Sequence, residues 1–141
     1  MEGLPEIPDY SPEPLLIVID DQMDQVDEKI TRLFTKGSHH RNISVMYIVQ
    51  NLFDNNKEHR TISLNAHYLT IFKNPRVVSQ IIHLAKQMYP GEAEYVREAF
   101  SLATREAYGY MIADLKQTTP EALRLRGRIF PGERHEVYVR K

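Results

Sequence analysis

No cysteine occurs in the 141 residues, which removes both a disulfide framework and any thiolate-bound zinc centre. That absence suits a reducing compartment. Glycine is sparse, at positions 3, 37, 91, 109, 127 and 132, and none opens a Gly-x-x-x-x-Gly-Lys-Ser/Thr pattern, whose backbone N–H groups and lysine cradle phosphates. Gly127 and Gly132 alone have the spacing, and Glu133 stands where lysine is needed. There is no apolar run near the roughly 20 residues of a membrane span, and no basic start with an apolar stretch that would mark a signal peptide. The sequon Asn42-Ile43-Ser44 is therefore expected to stay unglycosylated. Net charge is missing too: 18 Lys and Arg against 19 Asp and Glu leave −1. Such a balance argues against a general electrostatic grip on nucleic acid and leaves room only for a local basic patch. The chain reads as a soluble intracellular protein, cytoplasmic or nuclear, with no membrane partner.

What is present is the composition of one globular domain, 42% hydrophobic and 26% charged. Residues 1–14 carry prolines at 5, 8, 12 and 14 and read as an extended lead-in. Leu15-Leu16-Ile17-Val18-Ile19 then runs unbroken into Asp20-Asp21, the pattern of a strand buried on both faces in a helix-covered parallel sheet. Between 22 and 36, Met23, Val26, Ile30, Leu33 and Phe34 recur at helical spacing, and Gly37 closes the run. A second strand is expected over 44–49, ending in Gln50-Asn51, and a third over 67–72, ending in Lys73-Asn74.

Asn74-Pro75 pairs a helix cap with a first-turn proline. The helix it opens carries Val78, Ile81, Ile82, Ala85 and Met88 and stops at Pro90-Gly91. Another helix is expected over 92–105 with Tyr95, Val96, Ala99, Phe100 and Ala103 inward, then a strand over 108–113 and a short helical start over 119–121. The tail, 132–141, reads as a further edge strand. Strands alternating with helices predict an α/β fold with a largely parallel sheet. In such sheets ligands bind beyond the carboxyl ends of the strands, which here offer carboxylate, amide and ammonium groups in turn.

Each motif has a plainer account. Asp20 and Asp21 are placed to cap the following helix, where the dipole favours a carboxylate. His39-His40 invites a metal reading with His59, His67 and His83, but adjacent residues of an extended segment point apart and do not chelate together. Arg124, Arg126 and Arg128 form a basic stretch that reads first as a solvated face and second as a contact for DNA phosphates. A receiver-domain reading of the paired aspartates with Lys73-Asn74-Pro75 fails, because Gln50 stands where a phospho-acceptor aspartate is required and the lysine comes too early.

The segments 37–53 (Gly37-Ser38-His39-His40-Arg41 through Gln50-Asn51-Leu52-Phe53), 60–68 and Phe72-Lys73-Asn74-Pro75-Arg76, with the later 108–116 and Arg128-Ile129-Phe130-Pro131, together resemble the FtsK–HerA superfamily. The likeness is to poxvirus-type DNA-packaging ATPases, including those of virus-like DNA transposons. It covers nearly all of 15–131. It rests on the order and separation of the motifs, each being weak alone.

That resemblance implies a partial RecA-like P-loop ATPase domain with Walker B acids. Asp20 would be the Mg²⁺-coordinating acid and Asp21 the general base, one methylene shorter than the glutamate many relatives carry. Gln50 would sense the γ-phosphate or orient water. Arg41, Arg60 and Arg76 are the candidates for an arginine finger reaching a neighbouring subunit. Arg76 stands out because a first helical turn is an unfavourable place for a cation.

Mg²⁺ and ATP belong to the complete parent domain; for this chain alone no cofactor is expected, because the phosphate-binding loop with its strand and helix is missing. The expectation is therefore a truncated product or the downstream half of a split gene, inactive alone. Its partners would be a homo-oligomeric ring or a complementary P-loop half, on double-stranded DNA. The other reading is a non-catalytic interaction module that binds intact ATPase subunits or DNA.

Overall fold

The structure is a computed structural model that describes residues 12–20, 28–37, 42–51, 56–75 and 78–140. The chain divides into two compact units, Met1–Asn65 and Ala66–Lys141.

In the first unit, strand β1 (Leu15–Asp20) and strand β2 (Ile43–Ile48) are joined through helix α1 (Glu28–Arg32), which runs on into a π-helical turn over Leu33–Gly37. One intervening helix returns the chain in its original direction, so β1 and β2 pair in parallel, from Leu15 opposite Ile43 to Asp20 opposite Ile48. A second helix, α2 (Lys57–Asn65), follows. Its cap is Asn56, whose Oδ1 accepts from the N–H groups of Glu58 at 2.8 Å and His59 at 3.3 Å.

The core is Ile19, Ile30, Leu33 and Ile62, ringed by Ile17, Phe34, Val45 and Tyr47. Tyr47 also holds the buried His59, whose Nε2 lies 2.8 Å from the tyrosine hydroxyl. Parallel partners point to the same side, so Leu16, Val18 and Asp20 share the opposite face with Ser44, Met46 and Ile48. That face is open: Leu16 is 56% exposed, Val18 53%, Met46 50% and Ile48 45%.

The second unit begins with strand β3 (Tyr68–Phe72), followed by helices α3 (Val78–Met88) and α4 (Ala93–Ala103) and strand β4 (Tyr110–Asp114). Two antiparallel helices bring the chain back to the end it left, so β3 and β4 run antiparallel, with Tyr68 opposite Asp114 and Phe72 opposite Tyr110. A 3₁₀ turn at Glu121–Leu123 leads to the short strands β5 (Leu125–Gly127) and β6 (Glu136–Tyr138). The sheet order is β3-β4-β5-β6. Helix α4 buries Val96, Ala99 and Ala103, and it packs on the sheet face of Met111, Ala113 and Leu125, all fully buried. Gly109 lets α4 and β4 meet closely, since a Cβ there would stand 2.6 Å from the Ala103 carbonyl oxygen.

The α/β composition expected from sequence is present, and so are the adjacent parallel strands and the edge strand in the tail. Two expectations are corrected. The largely parallel sheet is instead a parallel pair and a separate antiparallel sheet of four strands; among the described residues one helix with its π-helical turn links β1 to β2, and two helices link β3 to β4. Nor are β1 and β2 buried on both faces: their burial alternates, because the described residues place helices on one side only.

Tyrosines tie the second unit together. The Tyr95 hydroxyl donates to the Tyr138 carbonyl oxygen at 2.7 Å, Tyr138 to Glu136 at 2.7 Å and Tyr110 to Glu133 at 2.8 Å. Burial, reinforced at Tyr110 and Tyr138 by these carboxylates, pushes all three phenols and Tyr89 above the ordinary tyrosine range. A raised folded-state pKa means the stabilisation is complete below the unfolded value, about 10. It is lost as pH climbs through the folded value. Urea midpoints are expected to hold steady to about pH 9 and fall steeply above about pH 10. Midpoints that stay level from about pH 9 to about pH 12 would contradict this.

Candidate functional site

Strand β1 delivers Asp20 to its carboxyl end, exposed and opposite Ile48 of β2. Gln50 follows two residues after Ile48 and is exposed. Because the strands are parallel, both carboxyl ends lie along one edge of the pair, where open α/β sheets place their ligands. The alternation of the pleat puts Asp20 on the open face beside Val18 and Ile48 rather than over the helix-covered core. Asp21, Arg41 and Arg76 lie outside the described residues. Of the other arginine-finger candidates, Arg60 is exposed on α2. The third polar strand end, Lys73-Asn74, follows β3 in the second unit.

A single exposed carboxylate fits a Mg²⁺ ion that keeps most of its water, since magnesium dehydrates reluctantly and takes one or two carboxylates. Among the described residues no group of three His, Cys, Asp or Glu side chains converges on a point. Nor do they include a glycine-rich turn between strand and helix that could cradle a phosphate chain. Asp20 by itself could supply one contact to such an ion.

His59, which the metal reading would have enlisted as a helper, has its ring engaged by Tyr47 in the core; His39 and His40 lie outside the described residues. The reading of the arginine stretch is corrected. Arg124 donates through Nη1 to the carbonyl oxygens of Asp114 at 3.0 Å and Lys116 at 2.9 Å, and through Nε to Glu121 at 2.6 Å. Arg126 pairs with the buried Asp114, its Nε having no hydrogen-bond partner among the described residues. Arg128 reaches Glu106 and Glu136. These three guanidinium groups fasten β5 to its neighbours, so the stretch is neither a solvated face nor a free phosphate contact. A signal was available: arginines at period two opposite an apolar strand that ends in an acid.

No protein-family model, curated protein or solved structure matches this chain.

Because Asp20 is exposed at a strand end, Asp20→Asn is expected to change stability by less than about 0.5 kcal/mol, checked by urea denaturation. The chain by itself is expected to bind Mg-ATP no tighter than about millimolar, since a hydrated magnesium would meet Asp20 through water and the sequence has no Gly-x-x-x-x-Gly-Lys-Ser/Thr loop to cradle the phosphates. Micromolar affinity in calorimetry would reveal a phosphate site elsewhere in the chain.

Proposed function

We propose that this chain carries the acid-bearing part of an FtsK–HerA-type, RecA-like ATPase domain and acts together with a P-loop-bearing part, on another polypeptide or another stretch of its own. The assembled activity is ATP hydrolysis coupled to movement of double-stranded DNA, by a ring of subunits. Asp20 orders the magnesium water shell, Asp21 takes the proton from the attacking water, and Gln50 orients that water. Arg41 or Arg76 reaches the nucleotide of the neighbouring subunit.

One observation supports this reading above the others: a parallel strand pair ending in Asp20 whose outer face is apolar and open. Parallel strands normally sit inside larger sheets covered on both sides, and two strands alone are marginal. Covering Leu16, Val18, Met46 and Ile48, each about half exposed, would contribute about 1 kcal/mol apiece. A P-loop strand and its helix are the kind of elements that would do so. The same open face also favours the second reading, a non-catalytic module that binds intact ATPase subunits.

Supplying a chain with the P-loop part separates the two. On the first reading ATPase activity appears, Asp20→Asn removes most of it, and Asp21→Asn lowers turnover at least about 100-fold while sparing ATP binding. Asp21→Glu holds or raises the rate. Val18→Asp, on the open face, prevents association itself. Association without turnover supports the interaction module. Full turnover with both acids neutralised reduces the pair to a helix cap and ends the ATPase reading.

A further inference from the structure

The net charge of −1 conceals a division between the units. Residues 66–141 hold twelve Lys and Arg against eight Asp and Glu, whereas residues 1–65 hold six against eleven. The second unit is therefore basic by four charges and the first acidic by five. Within the second unit, arginines hold six of the eight carboxylates in ion pairs, so the surplus falls elsewhere, and two lysines bracket β3. Lys73 directly follows Phe72 at one end. At the other, the Lys116 Nζ lies 4.8 Å from the centre of the Tyr68 ring.

The two faces of the four-stranded sheet differ in kind. Helix α4 packs on the face of Met111, Ala113 and Leu125. By the register, the opposite face carries Tyr68, Thr70 and Phe72 alongside Asp114, Ile112 and Tyr110. Here Tyr68 is 50% and Phe72 58% exposed. The Phe72 ring is braced from below, its centroid 5.9 Å from that of Tyr110, which is itself 5.5 Å from the exposed Phe130. Exposed aromatic rings on the sheet face turned away from α4, with cations at both ends of the row, are the means by which proteins hold unpaired bases and their phosphates.

We propose that this face binds single-stranded nucleic acid, with one base stacking on Phe72, a second displacing the Lys116 ammonium from over the Tyr68 ring, and phosphates meeting the released Lys116 and Lys73. The two rings stand four residues apart on one side of a strand, about 13 Å, so each takes its own base. The stacked pairs of a duplex hide the base surfaces that Tyr68 and Phe72 would cover. The braced, exposed rings and the lysine surplus distinguish this face from the open face of β1 and β2, which has neither aromatic rings nor lysines. This proposal stands independently of the ATPase reading, since every residue it uses lies in the second unit.

Fluorescence anisotropy of the full chain with labelled oligo-dT, oligo-U and a duplex of equal length tests it, the two single strands separating DNA from RNA preference. Either single strand is expected to bind more tightly than the duplex, and more weakly as salt rises. Tyr68→Ala and Phe72→Ala should each weaken binding about tenfold, while Tyr68→Phe and Phe72→Tyr preserve it. Both side chains are at least half exposed, so the alanine variants should keep the wild-type dichroism spectrum. Lys116→Gln should lower the slope of log affinity against log salt by about 0.7. Absent binding at low salt, equal or tighter duplex binding, or alanine variants that bind like the parent would overturn the proposal. Light scattering that shows self-association abolished by Phe72→Ala, without oligonucleotide binding, would assign the face to a second copy of the chain instead.

Discussion

The parallel pairing of β1 with β2 is the constraint from which the first unit follows. It fixes which side chains of Leu15–Asp20 and Ile43–Ile48 share a face. It sends Ile19, with Ile17, Val45 and Tyr47, toward α1 and α2, and leaves Leu16, Val18, Met46 and Ile48 on the far side. It also sets Asp20 at the same end as Gln50. Shifting the register by one residue would turn Ile19 outward and carry Asp20 into the core, where an unpaired carboxylate costs several kcal/mol. The burial of Ile19 and the exposure of Asp20 are thus one fact seen from two sides.

The second unit meets a different requirement. Its strands are short, and β4 is the only one buried along its whole length. Asp114, at the end of β4, is 1% exposed, and a polar group buried so deeply is costly unless it is paired. Arg126 supplies it across the β4–β5 pairing, and Arg124 saturates the carbonyls at the turn. The tail is drawn in similarly: the Arg140 guanidinium lies 4.6 Å from the centre of the Tyr89 ring and also pairs with Glu92. Arginine is suited to both tasks because its planar group stacks on a ring and donates in several directions at once.

Much of this was legible in the sequence, and what was not has identifiable causes. The apolar run before Asp20, the helical spacing over Val78–Met88 and Ala93–Ala103 and the proline-glycine stop between them are local signals, and local structure obeys them. Helix α2 went unread because its composition is polar; its evidence was the cap at Asn56 and Ile62 on the inward side. Alternation of strands and helices does not fix the direction of β3, because the parity of the intervening helices decides it. Nor does the continuous hydrophobicity of β1 and β2 require burial on both faces. A strand's composition shows what it is fit to bury, not whether a partner is present to bury it. At the site, Asp20 and Gln50 fall on the ends of adjacent strands, as their positions after apolar runs implied.

The charge partition shows why a whole-chain sum is a poor guide to partners. A net of −1 led to the expectation of no general grip on nucleic acid, and for the chain as a single body that would follow. Screening confines the influence of exposed charges to about 8 to 10 Å at ordinary ionic strength. A ligand at Tyr68 and Phe72 therefore meets Lys73 and Lys116 rather than acids elsewhere in the chain. Local pairing matters as much as local counting. Six arginines of the second unit are committed to carboxylates, and beside Tyr68 and Phe72 the cations are the lysines Lys116 and Lys73, which meet a phosphate as point charges. The open face of the first unit, with four half-exposed aliphatic side chains and Asp20 at its corner, has the opposite character and calls for an apolar protein surface. The two units thus present faces suited to different classes of partner, a division that neither total composition nor any single motif expresses.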